Sequence, residues 1–168
     1  LMADAVNKGA DVVITTGGVQ SNHARMTCAA CRKMGLYPML VLKGKQPDVF
    51  QGNLLLDRLM NADIRFVDTK DYEAVYEKVR DIMDELSAMG KKPYFIPVGG
   101  STGLGACGYV SATFELFEQA KKEGIDIDYI VNAVGSGGTS AGLEVGMRLL
   151  KKPVQVVGIS VDAEKSVF

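Results

Sequence analysis

The chain has 168 residues, 47% hydrophobic and 23% charged, the balance of a soluble globular protein with enough apolar material for a sizeable core. Lys and Arg number 19 against 20 Asp and Glu, with no long run of one sign, which argues against nucleic acid or an anionic membrane as partner and leaves small molecules or further copies of the chain. No apolar run reaches the length of a membrane span, and the opening LMADAVNKGAD lacks the basic start and apolar stretch of a signal peptide, so the expected location is the cytoplasm.

Leu1 to Val6 reads as the tail of a helix with no cap before it. DVVITT (11–16) then reads as a strand, Gly17 and Gly18 allow a tight turn, and Ser21 or Asn22 can cap a helix running through SNHARMTCAACRKMG (21–35). The same alternation repeats through the strand 36–42, the helix 50–62, the strand 63–68, the long helix 72–90 and the strand 93–100. It ends with a helix over 108–124, a strand over 128–135, a helix over 139–152 and a strand over 154–162. Such alternation predicts an α/β fold of open parallel sheets covered by helices, with strands apolar along their length because both faces are covered. Gly35, Gly90 and Gly124 each follow a helical pattern, where a left-handed C-cap is wanted. In the helix after Gly138, Leu143, Met147 and Leu150 form one buried stripe. PVGGSTGLGACGY (97–109) is the one Pro/Gly-rich interruption and reads as a hinge between two lobes, although its glycines could also let a segment lie against a ligand.

Three stretches carry chemistry. Cys28 and Cys31 spell C-x-x-C, but inside a helix and with no second pair or following histidine, so they read as small buried packing residues and not as a redox or metal site. GSGGTSAG (135–142) follows a strand and opens a helix, so its N–H groups can face an anion that the glycines let come close, a phosphate above all. A dinucleotide is the rival guest, since Gly135-x-Gly137 follows a strand and Asp162 ends the next one, though Ser140 stands where a third glycine belongs. Gln20, Ser21, Asn22 and His23 form a row of hydrogen-bonding groups at a positive helix end beyond the carboxyl end of a parallel strand. Capping needs one of them, so the row is a candidate site for a small anionic ligand; His23, the only histidine, either takes part or merely packs and orients its neighbours.

Taken together, GGVQSNHAR (17–25) with its alanine-rich helix, QGNLLLDRLMNADIRFV (51–67), IPVGGSTGLGACGYV (96–110) and VGSGGTSAGL (134–143) closely resemble the D-cysteine desulfhydrase and 1-aminocyclopropane-1-carboxylate deaminase family of pyridoxal-phosphate enzymes. The resemblance covers essentially the whole chain. It implies a fold-type II, tryptophan-synthase-β-like architecture of two α/β lobes with the cofactor in the cleft, residues 9–113 in the smaller lobe and 1–8 with 114–168 in the larger. It also implies a homodimer, pyridoxal 5'-phosphate as cofactor and a small amino acid as substrate, with no metal.

By the same resemblance, Gly135, Ser136, Gly137, Gly138 and Thr139 match the cofactor-phosphate loop, and Asn22 matches the asparagine near the pyridoxal 3-oxygen. Ser21 matches the serine that holds the substrate carboxylate and stands near the reacting carbon, with Gln20 and His23 lining the same corner. The implied reaction is loss of the α-proton and of thiolate from D-cysteine, giving pyruvate, sulfide and ammonia, with the cofactor ring as electron sink. Histidine after Gln-Ser-Asn leans towards the desulfhydrases; the cyclopropane deaminases are the alternative. The family's cofactor-attaching lysine belongs to a segment before the residues matching LMADA, and Lys8, Lys33, Lys43 and Lys45 read as solvent-facing, so the chain is expected to be cut short at both ends and catalytically incomplete alone. An NAD-dependent oxidoreductase using GSGGTS and a non-catalytic ligand-binding fragment are the readings from other classes.

Overall fold

The computed structural model of the chain describes residues 1–161. Asp162, the acid on which the dinucleotide reading leaned, lies outside the described residues. The chain divides into two compact units, Leu1–Gly100 and Ser101–Phe168.

In the first unit the elements are α1 (Met2–Asn7), β1 (Val12–Gly18), α2 (Asn22–Lys33), β2 (Tyr37–Lys43), α3 (Gly52–Leu59), β3 (Asp63–Val67), α4 (Tyr72–Ala88) and β4 (Pro93–Ile96). Four parallel strands lie in the order β3-β2-β1-β4, so the apolar runs of β1 and β2 occupy the middle and are covered on both faces. One face carries Val12, Ile14, Met39 and Val41, which pack on Val75, Val79 and Ile82 of α4; these three are spaced i, i+4, i+7 and so share one helix face. The other face carries Val13 against Ala5, Cys31, Leu36 and Ile96, and Leu40 and Leu42 against Ala24 of α2 and Leu54 of α3. Burying each such Val, Leu or Ile is worth roughly 1.5–3 kcal/mol. The two cysteines of C-x-x-C are fully buried, and burial pushes the Cys28 thiol up to about 11 and Cys31 to about 12, so both are inert packing residues as expected.

The second unit consists of α5 (Gly103–Glu123), β5 (Tyr129–Val134), α6 (Gly138–Leu150) and β6 (Gln155–Ser160), the two strands pairing in parallel. Gly142 and Gly146 of α6 lie one turn apart and are buried against α5. A Cβ at Gly146 would sit 2.5 Å from Thr113 Oγ1, and one at Gly142 would collide with the Ala106 carbonyl oxygen. Gly142 therefore lets α6 meet the backbone of α5, and Gly146 makes room for the Thr113 side chain. Of the stripe read from the sequence, Leu143 and Met147 are buried, whereas Leu150, in the last turn of α6, is only half-buried.

Glycine closes the helices where expected: Gly35, Gly90 and Gly124 have φ of 72°, 77° and 66°. Three local expectations are corrected. Gly17 and Gly18 are not a turn but the last residues of β1, paired with Leu42 and Lys43 of β2, and the turn falls on Val19 and Gln20. The stretch 97–109 contains the division between the units, but its second half is helix: Thr102 accepts a hydrogen bond from Gly105 N at 2.9 Å and starts α5 at Gly103, five residues before the predicted start. Lastly, β5 and β6 are covered on one face only. Val134 packs towards α6, whereas Tyr129, Val131 and Ile159 on the opposite face are 60%, 63% and 54% exposed.

Asp57 of α3 is 1% exposed, its Oδ1 has no hydrogen-bond partner among the described residues, and burial raises its carboxyl from 3.8 to about 6 against the opposing pull of Arg25. With the folded value above the unfolded one, the folded state binds the extra proton between those values, so stability falls as pH rises from about 4 to 6 and stays lower above. The shift of about two units corresponds to on the order of 3 kcal/mol. Asp57→Asn is expected to flatten this slope in urea unfolding followed between pH 4 and 7; an unchanged slope would show that the carboxyl is not the source.

Candidate functional site

In a parallel sheet the helix after each strand begins at the strand's carboxyl end, where a positive helix terminus and loop side chains converge. Here β1 runs into a two-residue turn closed by Ser21 N donating to Gly18 O at 3.0 Å. Ser21 is the N-cap of α2, with extended backbone (φ −63°, ψ 121°), and its Oγ accepts from Ala24 N at 3.1 Å. Accepting that bond leaves the hydroxyl hydrogen available, with no acceptor among the described residues. The chain can fold back so tightly because residue 17 is glycine: a Cβ there would lie 2.5 Å from Ser21 Oγ and 2.6 Å from Ser21 Cβ.

His23 sits one residue into the helix with Nε2 2.8 Å from Thr15 Oγ1. The single hydrogen of that fully buried threonine is donated to Ile96 O at 2.8 Å, so the imidazole must be the donor. Burial lowers the His23 pKa from 6.5, against the opposing pull of the Pro97 backbone carbonyl, and this lowering favours the neutral ring at neutral pH. Its Cε1 lies 3.7 Å from where a Cβ on Gly100 would stand. The ring is thus oriented from below by the sheet.

Gln20 and Asn22 are tied to the start of α3. Gln20 Oε1 accepts from Asn53 N at 2.9 Å and its Nε2 donates to Gln51 O at 3.0 Å. Asn53 Nδ2 donates to Gln20 O at 2.9 Å and to Asn22 Oδ1 at 2.8 Å. Gly52 between them has φ 57°, and a Cβ there would stand 2.7 Å from Gln20 Oε1, so only glycine leaves room for this junction.

The Gly-rich loop of the second unit follows β5. Gly137, with φ 84°, is the N-cap of α6 and supplies no side-chain cap. The first intrahelical bond is Ala141 N to Gly137 O, which leaves the N–H groups of Gly138, Thr139 and Ser140 without helical partners. A Cβ on Gly135 or Gly137 would meet nothing within 4 Å, so the approach to those donors is open. Ser101 Oγ braces the loop, donating to Ser136 O at 3.4 Å and lying 3.0 Å from a Cβ built on Gly138. Beside it, Val134, Gly137, Ser140, Glu144, Gly158 and Ser160 line a cavity of about 600 Å³. Uncapped donors and absent side chains fit a phosphate dianion.

The sequence-predicted residues therefore form two sets, Gln20 to His23 at the start of α2 and Gly135 to Thr139 at the start of α6. Within the first set the geometry distinguishes Ser21 and Asn22, which keep free donors, from Gln20, whose amide is engaged at both ends. Sequence reading missed Thr15, Gln51, Gly52, Asn53 and Ser101. The one signal for the QGN group was a glycine between two amides directly ahead of an apolar helix; Thr15 looked like any β-branched strand residue.

A family described as pyridoxal-phosphate dependent enzymes matches residues 1–167. A Pyrococcus furiosus protein named for 1-aminocyclopropane-1-carboxylate deaminase is 44% identical over 161 residues, covering 96% of this chain and 48% of that protein. The D-cysteine desulfhydrase of Serratia proteamaculans is 38% identical over 169 residues, covering 96% of this chain and 50% of its own. A crystal structure described as an ACC deaminase homologue superposes with a TM-score of 0.86 at 45% identity, covering 94% of this chain and 47% of the other. The chain spans about half the length of the curated relatives it matches.

The close approach at Gly17 makes a paired prediction. Gly17→Ala is expected to displace the Ser21 cap and lower stability by about 1–3 kcal/mol in urea unfolding. Gly18→Ala, where a Cβ would meet nothing within 4 Å, is expected to change it far less. Equal losses would contradict the packing described.

Proposed function

Since the chain belongs to the family of pyridoxal-phosphate dependent enzymes, we propose that the protein is a lyase or deaminase of small amino acids, first of all a D-cysteine desulfhydrase that converts D-cysteine and water to pyruvate, sulfide and ammonia. The observation that carries this reading is the start of α2: Ser21 is held by its own cap bond with its hydroxyl hydrogen outward, beside an Asn22 amide whose nitrogen has no partner among the described residues. The second reading, 1-aminocyclopropane-1-carboxylate deaminase, is favoured by the Pyrococcus furiosus relative's name. The protein is proposed to work as a cytoplasmic homodimer.

When bound, pyridoxal phosphate supplies an electron-withdrawing ring that lets the α-proton of an amino acid leave and a substituent on the β-carbon follow. The rest falls to the chain's own residues. Gly138, Thr139 and Ser140 donate backbone N–H bonds to the phosphate, and the missing side chains at Gly135 and Gly137 let it approach. Ser136, within the same loop, is held through its carbonyl by Ser101. Asn22 donates to the ring oxygen. Ser21 donates its hydroxyl hydrogen to the substrate carboxylate, whose charge is further stabilised by the positive end of α2. Its cap bond fixes the oxygen without using the hydrogen, so capping and substrate binding are one arrangement and not competitors. His23, neutral and fixed by Thr15, shapes the corner and adds no charge to repel or trap a substrate. Gln20 acts through its bonds to α3. Residues 9–113 are assigned to the smaller lobe and 1–8 with 114–168 to the larger, and no lysine of the described chain is given the cofactor-attaching role.

The test is to assay the whole protein for sulfide from D-cysteine and for α-ketobutyrate from 1-aminocyclopropane-1-carboxylate. A higher kcat/KM for sulfide release is expected; turnover of the cyclopropane acid alone would select the second reading, and of neither would overturn both. Ser21→Ala is expected to lose about a hundredfold or more in kcat/KM, while its stability falls by only the ~1 kcal/mol of a lost cap. If the stability loss alone accounts for the lost activity, capping is the whole role of Ser21. The isolated 168 residues are expected to show no turnover with added cofactor.

A further inference from the structure

We propose that Asn53, at the opening of α3, is the positioning residue for Asn22, and that it decides which end of the Asn22 amide is presented to a ligand. The inference rests on the reading of Asn22 as the contact to the cofactor's ring oxygen.

A side-chain amide has a donor end and an acceptor end of nearly the same shape, so neighbours decide which way it turns. The Gln20 backbone carbonyl can only accept, so the atom of Asn53 2.9 Å from it must be Nδ2. That same nitrogen is 2.8 Å from the Asn22 side chain and can only donate, which obliges Asn22 to turn its Oδ1 inward. Asn22 Nδ2, with both its hydrogens, is left facing away, without a partner among the described residues. The chain of obligations begins at a backbone group and contains no free choice.

Asn53 is itself held. Its backbone N–H donates to Gln20 Oε1 at 2.9 Å, which leaves Gln20 Nε2 to donate to Gln51 O at 3.0 Å. Every bond at this junction runs from an unambiguous donor to an unambiguous acceptor, and the left-handed Gly52 allows the two segments to come this close. The start of α2 thus offers an outward donor because α3 demands its acceptor. An acceptor oxygen on a ring, neutral or anionic, is the chemistry that such a donor recognises; with the amide reversed, its oxygen would face the same atom and repel it.

The experiment uses the whole protein with pyridoxal 5'-phosphate, and follows cofactor affinity and the pH dependence of the bound cofactor's visible absorption in Asn22→Ala, Asn53→Asp and the double variant. The ionised carboxylate that Asn53→Asp introduces can only accept, so this substitution calls for the reversed Asn22 amide at almost unchanged volume. Expected is a shifted absorption profile and about tenfold weaker binding in each single variant, the size of one hydrogen bond. Adding Asn53→Asp to Asn22→Ala is expected to change neither further, because Asn53 acts through Asn22. If Asn22→Ala alters the cofactor while Asn53→Asp leaves it as in the wild type, or if the two effects simply add, the inference is overturned. If Asn22→Ala itself is silent, the ring-contact reading fails and the inference falls with it. Should Asn53→Asp not fold, Asn53→Ala is read by the same outcomes, since a structural loss alone moves the unfolding midpoint without depending on Asn22.

Discussion

The first N–H groups of a helix have no partner within it, and the way this chain meets that constraint at two helix starts decides which donors each unit offers. At α2 the chain answers with its own side chain: Ser21 accepts from Ala24 N. At α6 it answers with glycine and leaves the donors bare. The bare start suits a dianion that brings its own acceptors. The capped start suits a weaker guest, met by an outward hydroxyl and an outward amide. One physical deficit, solved twice in opposite ways, leaves bare backbone donors at one helix start and an outward hydroxyl and amide at the other, which the proposed function assigns to a phosphate, a carboxylate and a ring oxygen.

Close approach between elements is provided by glycine at three junctions. Gly17 lets Ser21 fold over the end of β1, Gly52 lets the start of α3 dock on Gln20, and Gly142 with Gly146 lets α6 press on α5. Where the neighbour is backbone or a pinned side chain, an added methyl has nowhere to go. Below the first site the sheet does the same work with polar groups: buried Thr15 receives His23 and passes its own hydrogen to Ile96, so the histidine is oriented without being charged. Gln20 and Asn53 complete the frame. Of the row at the start of α2, Ser21 and Asn22 present donors outward, while Gln20 is tied to α3 and His23 to the sheet.

Much of this was legible in the sequence because the relevant physics is local. The alternation of continuous apolar runs with 3.6-residue helical patterns gave the α/β order, and the parallel sheet of the first unit with helices on both faces follows from it. A strand running into GSGG gives an uncapped helix start by composition alone. Ser21 as a cap followed from its place after Gln20 and ahead of an alanine-rich run. The residues that orient these groups were not legible, because the partners meet across distances that no window spans: Asn53 lies 31 residues beyond Asn22, and Ile96 lies 81 beyond Thr15. The misplaced turn at Gly17 and Gly18 has the same origin. Two glycines after a strand usually end it, but here β2 continues alongside and pairs with both. Helix α5 likewise starts early, within a Gly-rich run, because Thr102 caps it and the α6 glycines pack it, so tertiary contact overrides propensity.

The central claim is that the bare start of α6 recognises the phosphate and is the main source of cofactor affinity. It is tested most directly by titrating the whole protein with pyridoxal 5'-phosphate and with pyridoxal, which has the same ring and aldehyde but no phosphate, in the wild type and in Gly137→Asp. The account predicts that the phosphorylated compound binds the wild type about a hundredfold or more tightly, and that placing a carboxylate at the helix start removes most of that advantage. Equal affinity for the two compounds, or an advantage untouched by Gly137→Asp, would contradict it.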